Sequence, residues 1–232
     1  QGGNLIQDVA AIRVLPELCH EYLLRFGYRD VELTTELHQW LAGFPKEEAQ
    51  AFGVICWGAV TAAISGVTMV MSKSPMEAIG VPTKESNAAG IRATRQIINI
   101  AKGQKLTTSP ELEIEMDMIR RETRAILDKV LELGDGDACQ GTVRAVEAGV
   151  IDIPFSPSRL NANKVIPVRD GGGAIRYLDS GNLPFGPDIL EFHRERIAER
   201  ATSEGRRADY TMLIDDVYAV SEGMLVGVAR SR

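Results

Sequence analysis

Val67-Thr68-Met69-Val70-Met71-Ser72-Lys73-Ser74-Pro75-Met76-Glu77 decides how the rest of the chain is read. An apolar, β-rich run from Val67 to Met71 ends abruptly in Ser72-Lys73, and Lys73 and Glu77 bracket Pro75. In a barrel of alternating strands and helices, a polar group just past the C-terminal end of a strand faces the reaction side. Lys73 and Glu77 are therefore candidate ligand-binding residues. The same residues also read structurally. Ser74-Pro75-Met76-Glu77 has the form of a helix start, with Ser as N-cap, Pro at the first helical position and Glu three residues after the cap. Both readings can hold, because a cap in a strand-to-helix loop lies on the ligand-binding face.

Working outward, the first hundred or so residues alternate. Leu5 to Val14 and Pro16 to Phe26 read as helix, with Pro16 breaking or restarting it, and Gly27 is a stop signal. Val31 to Leu37 reads as a strand. The loop from His38 to Pro45 precedes a helix from about Lys46 to Ile64. Gly66 turns the chain into the strand Val67 to Met71, and a helix from about Glu85 to Ala101 follows. Helix, strand, helix, strand, helix argues for parallel strands joined by crossover helices. Two such strands cannot bury both faces alone, and a closed barrel needs more of them. The expected fold is therefore α/β: the last two strands of a TIM barrel and their helices over residues 1–104. The opening Gln1-Gly2-Gly3-Asn4 is expected to lie partway through a larger fold.

From Ser109 the pattern changes. Leu112, Met116, Ile119, Ile126, Val130 and Leu133 mark one face of a long helix, started by Ser109-Pro110-Glu111 and stopped by Gly134. A shorter helix spans about Ala138 to Ala148, and Ile151 to Lys164 is irregular and Pro-rich. Val165 to Val168 and Ala174 to Leu178 flank Asp170-Gly171-Gly172-Gly173 as a β-hairpin. Helices follow at about Pro187 to Glu199 and Tyr210 to Val220. Residues 105–232 thus read as a mainly helical extension with one hairpin.

Composition narrows the function. With 44% hydrophobic and 25% charged residues the chain reads as a soluble globular protein. A net charge of −6 argues against non-specific nucleic-acid binding. No apolar run is long enough to span a membrane. Cys19, Cys56 and Cys139 form no paired framework, which points to a reducing cytoplasm, and each is expected to be buried and inert. His20, His38 and His193 lack metal-ligand spacing, and His20 and His193 read as surface or half-buried helix residues. The Gly171 to Gly173 run opens no helix and reads as a turn rather than a phosphate cradle. Glu85 complements a helix dipole. Asp152, Arg159 and Arg169 read as loop-fixing residues. The aromatic loop His38 to Pro45 follows a strand and so would share a barrel face with Lys73; it has two readings, a wall for a large flat ligand or a plug of Trp40 and Phe44 at the barrel rim.

Several stretches resemble one family together. They include Gly3-Asn4-Leu5-Ile6-Gln7-Asp8, Leu33-Thr34-Thr35 with His38-Gln39-Trp40, Gly43-Phe44-Pro45, and Glu77-Ala78-Ile79-Gly80 with Pro82-Thr83-Lys84-Glu85. Asn87-Ala88-Ala89-Gly90, Asp152-Ile153-Pro154-Phe155 and Gly181-Asn182-Leu183-Pro184-Phe185 extend the likeness along the chain. It resembles the C-terminal half of the glutamate mutase (methylaspartate mutase) epsilon-subunit family.

The resemblance implies a TIM barrel with a C-terminal extension. It also implies a small partner subunit that carries cobalamin, with adenosylcobalamin held between the two. The implied reaction is a radical carbon-skeleton isomerisation of L-glutamate to (2S,3S)-3-methylaspartate in a site closed to water. Lys73 and Glu77 match the pair that grips the adenosyl ribose, and an ammonium beside a carboxylate complements a diol. Phe44 and Val81 match further cofactor-contacting positions. The family's substrate-binding residues fall before residue 1, so no catalytic residue is assigned here. The cobalt-ligating motif belongs to the small subunit, so no metal ligand is assigned either. The expectation is a hetero-oligomeric cytoplasmic enzyme whose present segment is inactive alone and needs the N-terminal half of the barrel. A non-catalytic half-barrel that acts only as an interaction piece is the alternative. Another adenosylcobalamin mutase with a different amino acid substrate is a third reading.

Overall fold

The computed structural model describes residues 1–229. In chain order the elements are α1 (Leu5–Arg25), β1 (Glu36–His38), α2 (Glu48–Ser65), β2 (Met69–Met71), α3 (Lys84–Ala101), α4 (Pro110–Leu133) and α5 (Ala138–Ala148). They continue with β3 (Ile166–Arg169), β4 (Ile175–Asp179), α6 (Pro187–Glu204), α7 (Tyr210–Ala219) and a 3₁₀ turn at Val220–Glu222. The fold is mixed α/β. Residues 1–116 with 217–227 form one compact unit, and residues 117–216 with 228 and 229 lie in the other.

In the first unit β1 and β2 pair in parallel, with Glu36 opposite Met69 and His38 opposite Met71. This is the expected adjacency over a shorter span. At the head of the ladder the Thr35 N–H donates to Thr68 Oγ1 at 3.4 Å, and the Thr68 N–H is shared between Thr35 Oγ1 at 3.2 Å and the Thr35 carbonyl at 3.1 Å. The Met69 N–H also reaches the Thr35 carbonyl, at 3.0 Å, and regular pairing begins only at Glu36 and Met69. Residues 31–35 carry strand-forming side chains but have no ladder. The described residues form no closed barrel, only two two-stranded sheets.

Helix α1 runs unbroken through Pro16. Its buried stripe, Ala10, Val14, Leu18 and Tyr22, lies on both sides of the proline. Packing of that stripe outweighs the missing N–H. Helix α2 starts on Glu47, whose carboxylate accepts from the N–H groups of Ala49 and Gln50, and ends on Gly66 in the left-handed region. Its Ala51, Ile55, Ala59 and Ala62 are buried and α2 packs extensively on α3.

In the second unit β3 and β4 form the expected antiparallel hairpin. Its turn is closed by Asp170, whose Oδ1 accepts from the N–H groups of Gly172 (2.9 Å) and Ala174 (3.0 Å). Arg176 pairs with the other Asp170 oxygen at 2.8 Å. Arg169 donates to the Gly173 carbonyl, so it fixes this turn as expected. Arg200, fully buried, bridges Asp216 and Glu204. His193 corrects the surface reading. It is 2% exposed, its Nε2 lies 2.9 Å from Glu122, and Tyr177, Phe185 and Phe192 wall it. The cysteines are also corrected. Cys19 and Cys139 are exposed and Cys56 is half-buried, because Cys19 lies off the buried stripe of α1 and Cys139 in the first turn of α5.

Asp152 organises the irregular segment. It accepts from the N–H groups of Asn163, Lys164 and Val165 and from the Asn161 amide, at 2.7–3.0 Å. Burial pushes its carboxyl up, but these donors pull it further down, to below the ordinary carboxylate value. A carboxyl depressed on folding stabilises the protein above its unfolded pKa of about 3.9 and loses that contribution as pH falls through the folded value.

Two outcomes follow from this fold. Asp152→Asn is expected to cost about 1–3 kcal/mol, read as a lower thermal midpoint at pH 7. The gap to the parent should close as pH falls through the folded Asp152 value. Among the described residues β2 pairs only with β1, and Met69 and Met71 on one of its faces are 54% and 48% exposed; an unpaired edge beside an exposed apolar face invites strand addition. The separate 232-residue chain should self-associate in light scattering, and Met69→Lys should reduce this. A parent chain that stays monomeric at high concentration would refute it.

Candidate functional site at the end of the parallel ladder

Beyond Met71 the chain leaves β2 and makes a compact turn before α3 begins at Lys84. The capping pattern at Ser74 is real. Ser74 Oγ accepts from the Met76 N–H at 3.1 Å, and Glu77 Oε1 accepts from the Ser74 N–H at 3.3 Å. No helix grows from it. The turn closes with Gly80 N–H on the Met76 carbonyl, and Pro82 follows. Thr83 instead caps α3, accepting from the Ser86 N–H. Lys84 and Glu85 open that helix as expected. Ser74, 1% exposed, also bonds Ser86, which ties the turn to the helix start.

Lys73 and Glu77 come together. Lys73 Nζ lies 3.4 Å from Glu77 Oε2, with the side chains 14% and 29% exposed. One Glu77 oxygen thus holds the turn while the other faces the ammonium, so the turn-holding role occupies only half of the carboxylate. Partial exposure leaves both charged heads accessible, and their donors and acceptors match a vicinal diol.

Phe44 and Val81 are placed differently. Phe44 is buried with Trp40, Ala51 and Ile55, and Ala78, next to Glu77, packs against that cluster. Trp40 Nε1 donates to the Gly43 carbonyl at 3.0 Å. The aromatic loop therefore fills the core of this unit, as in the plug reading. Val81 is 91% exposed.

Sequence reasoning marked the loop that begins at His38 and Gln39 but gave Gln39 and Thr94 no role in holding this site. Gln39, 1% exposed, reaches the Lys73 N–H, and Thr94 on α3 bonds both Gln39 and Ser72. His38 lies on the opposite face of β1 from buried Leu37. Its Nε2 is shielded without a hydrogen-bond partner among the described residues. Burial, and next the Lys73 ammonium, hold its imidazole below the ordinary histidine value. Position at the C-terminal end of β1 was the one signal that could have singled out Gln39 and His38 within that loop. Among the described residues no His, Cys, Asp or Glu cluster could hold a metal ion, and no helix is long and apolar enough to cross a membrane.

The family model described as Methylaspartate mutase E chain (MutE) matches residues 1–229. The chain belongs to this family. A glutamate mutase epsilon subunit of Desulfitobacterium hafniense is 59% identical over 231 residues, covering 100% of this chain and 48% of that relative. The Treponema denticola epsilon subunit is 53% identical over 97% of this chain and 46% of its own length. That of Halobacterium salinarum is 47% identical over 98% and 47%. The chain thus spans about half the length of the curated relatives it matches, and it corresponds to their C-terminal half.

The burial of Phe44 yields a test. Phe44→Ala is expected to destabilise the first unit by about 3–5 kcal/mol, seen in denaturant unfolding with no ligand present. A residue that served a ligand alone would leave unfolding unchanged.

Proposed function

We propose that this chain supplies the adenosyl-facing part of an adenosylcobalamin-dependent carbon-skeleton mutase that interconverts L-glutamate and (2S,3S)-3-methylaspartate. The observation that carries the reading is the Lys73–Glu77 pair, accessible and anchored past the end of β2, in a member of the MutE family. The residues fit the cofactor's sugar. Glu77 accepts from ribose hydroxyls and Lys73 donates to ribose oxygens. Phe44 and Val81 are further contacts, the first through main chain or ring edge. Adenosylcobalamin supplies a cobalt–carbon bond that opens homolytically and so makes hydrogen abstraction from the substrate possible. The task of Lys73 and Glu77 is to hold the sugar in one position, and that of the surrounding core is to keep water out.

In this reading β1 and β2 are the last two strands of a TIM barrel. The remaining strands and the substrate-binding groups come from the N-terminal half of the relatives' length. A groove of about 730 Å³ beside β2, lined by Val70, Met71, Ile91 and Ile98 among others, supports a further element at that edge. Cobalt is held by a small cobalamin-carrying subunit, giving a cytoplasmic hetero-oligomer of the isomerase class. The same open edge favours the second reading, a half-barrel that serves only as an interaction piece.

Reconstitution of the complete epsilon chain with the cobalamin subunit tests both. Lys73→Ala and Glu77→Gln are each expected to lower turnover by roughly ten- to a hundredfold, the rate equivalent of one charge-assisted hydrogen bond, with unfolding midpoints unchanged. Near-normal turnover for both would leave only the turn-holding role and favour the interaction reading.

A further inference from the structure

Lys73 is exposed to the site at its tip, yet its main chain is gripped from two sides. In an unbroken parallel ladder, the Lys73 N–H would go to the Gln39 carbonyl, one rung after the Gln39 N–H on the Met71 carbonyl. It goes instead to Gln39 Oε1, at 2.9 Å. The side chain of Gln39 replaces its own backbone as the last rung, and the chain after Met71 can turn away from the strand without losing that bond. The other end of the amide is spent on two helices. Gln39 Nε2 donates to the Ile55 carbonyl of α2 at 3.0 Å and to Thr94 Oγ1 of α3 at 3.2 Å. Thr94 Oγ1 in turn lies 2.9 Å from Ser72 Oγ.

Two helical glycines make room for this arrangement. A Cβ on Gly58 of α2 would stand 2.9 Å from Gln39 Cγ, and a Cβ on Gly90 of α3 would stand 2.0 Å from the Lys73 carbonyl oxygen. The Lys73 main chain is thus held at its N–H by Gln39, and its C=O lies against a helix surface that only glycine can present. A buried amide is costly unless its hydrogen bonds are made. Both Gln39 N–H donors and its oxygen are used, and their targets come from α2, α3 and the Lys73 loop.

We propose that Gln39 is a positioning residue for Lys73, fixing the main chain from which the ammonium reaches Glu77 and the ligand. For its consequence on the ligand the proposal rests on the ribose-binding reading above; its structural part does not. The test uses the complete epsilon chain reconstituted with the cobalamin subunit. Amide hydrogen exchange reads the Lys73 N–H directly. Gln39→Leu should speed exchange at Lys73 about tenfold, the equivalent of one net hydrogen bond, while the residue 39 amide changes little. Binding of adenosylcobalamin is then compared with methylcobalamin, which has the same corrin and nucleotide tail but no adenosyl ribose. Lys73→Ala should lose at least tenfold of the preference for the adenosyl form. Gln39→Leu should lose a large part of it, and should add nothing when combined with Lys73→Ala. A merely structural role would instead weaken both cobalamins alike and add to Lys73→Ala. If Gln39→Leu does not fold, Thr94→Val, which removes one acceptor at nearly constant shape, carries the test with a smaller effect, and Thr94→Ser should restore it.

Unchanged exchange at Lys73 in the variants overturns the proposal. So does faster exchange with the adenosyl preference intact in a background where Lys73→Ala abolishes it. If Lys73→Ala itself keeps the preference, the ribose reading fails, and the exchange result alone decides whether Gln39 sets the Lys73 backbone.

Discussion

A parallel ladder three residues long per strand is too short to hold a site by itself. What extends its reach is the buried amide of Gln39, which joins the end of β1, the middle of α2, the face of α3 and the loop that carries Lys73. An amide in that place has no water to fall back on, so its directional bonds admit few arrangements. Apolar packing around Ala51, Ile55 and Ala59 brings the helices close, and the amide selects the register in which they meet the loop.

The carboxylate of Glu77 shows how one side chain answers two demands. One oxygen closes the turn at Ser74 and the other stands beside the ammonium. The turn needs only an acceptor, whereas the ligand reading needs a charge. Buried Ser74, bonded to half-buried Ser86 in the first turn of α3, removes the freedom that would otherwise let the pair drift with the loop. The second unit follows the same logic on its own, with Asp152 and Asp170 each gathering several main-chain donors so that irregular backbone is held without a strand or helix.

Helix limits were legible because their punctuation is local. Pro110 and Gly134 bracket α4, Pro187 opens α6, and Ala138 to Ala148 was read at its true length. The closeness of Lys73 and Glu77 was legible as an i, i+4 pair. Other features depend on partners distant in sequence. Thr35 and Thr68 exchange side-chain bonds at the head of the ladder, and nothing in either local stretch reports the other. His193 is buried because Glu122, some seventy residues earlier in the chain, meets it. Gln39 stood in a stretch that carried the family likeness, but a lone Gln after a strand has no periodicity, so its role was not legible until α2 and α3 were in place. Pro16 was over-read, since a break signal is overruled when the buried stripe continues past it.

Met69 and Met71 have a chemical consequence beyond adhesion. A thioether open to solvent is readily oxidised to the sulfoxide, which replaces a soft apolar surface with a strong S–O dipole. The Met69–Met71 face of β2 therefore keeps a record of its own history. Molecules whose face was covered from synthesis onward retain both thioethers, and molecules that spent time bare accumulate oxygen there, one atom per sulfur, at the surface that must be apolar for anything to pack on it.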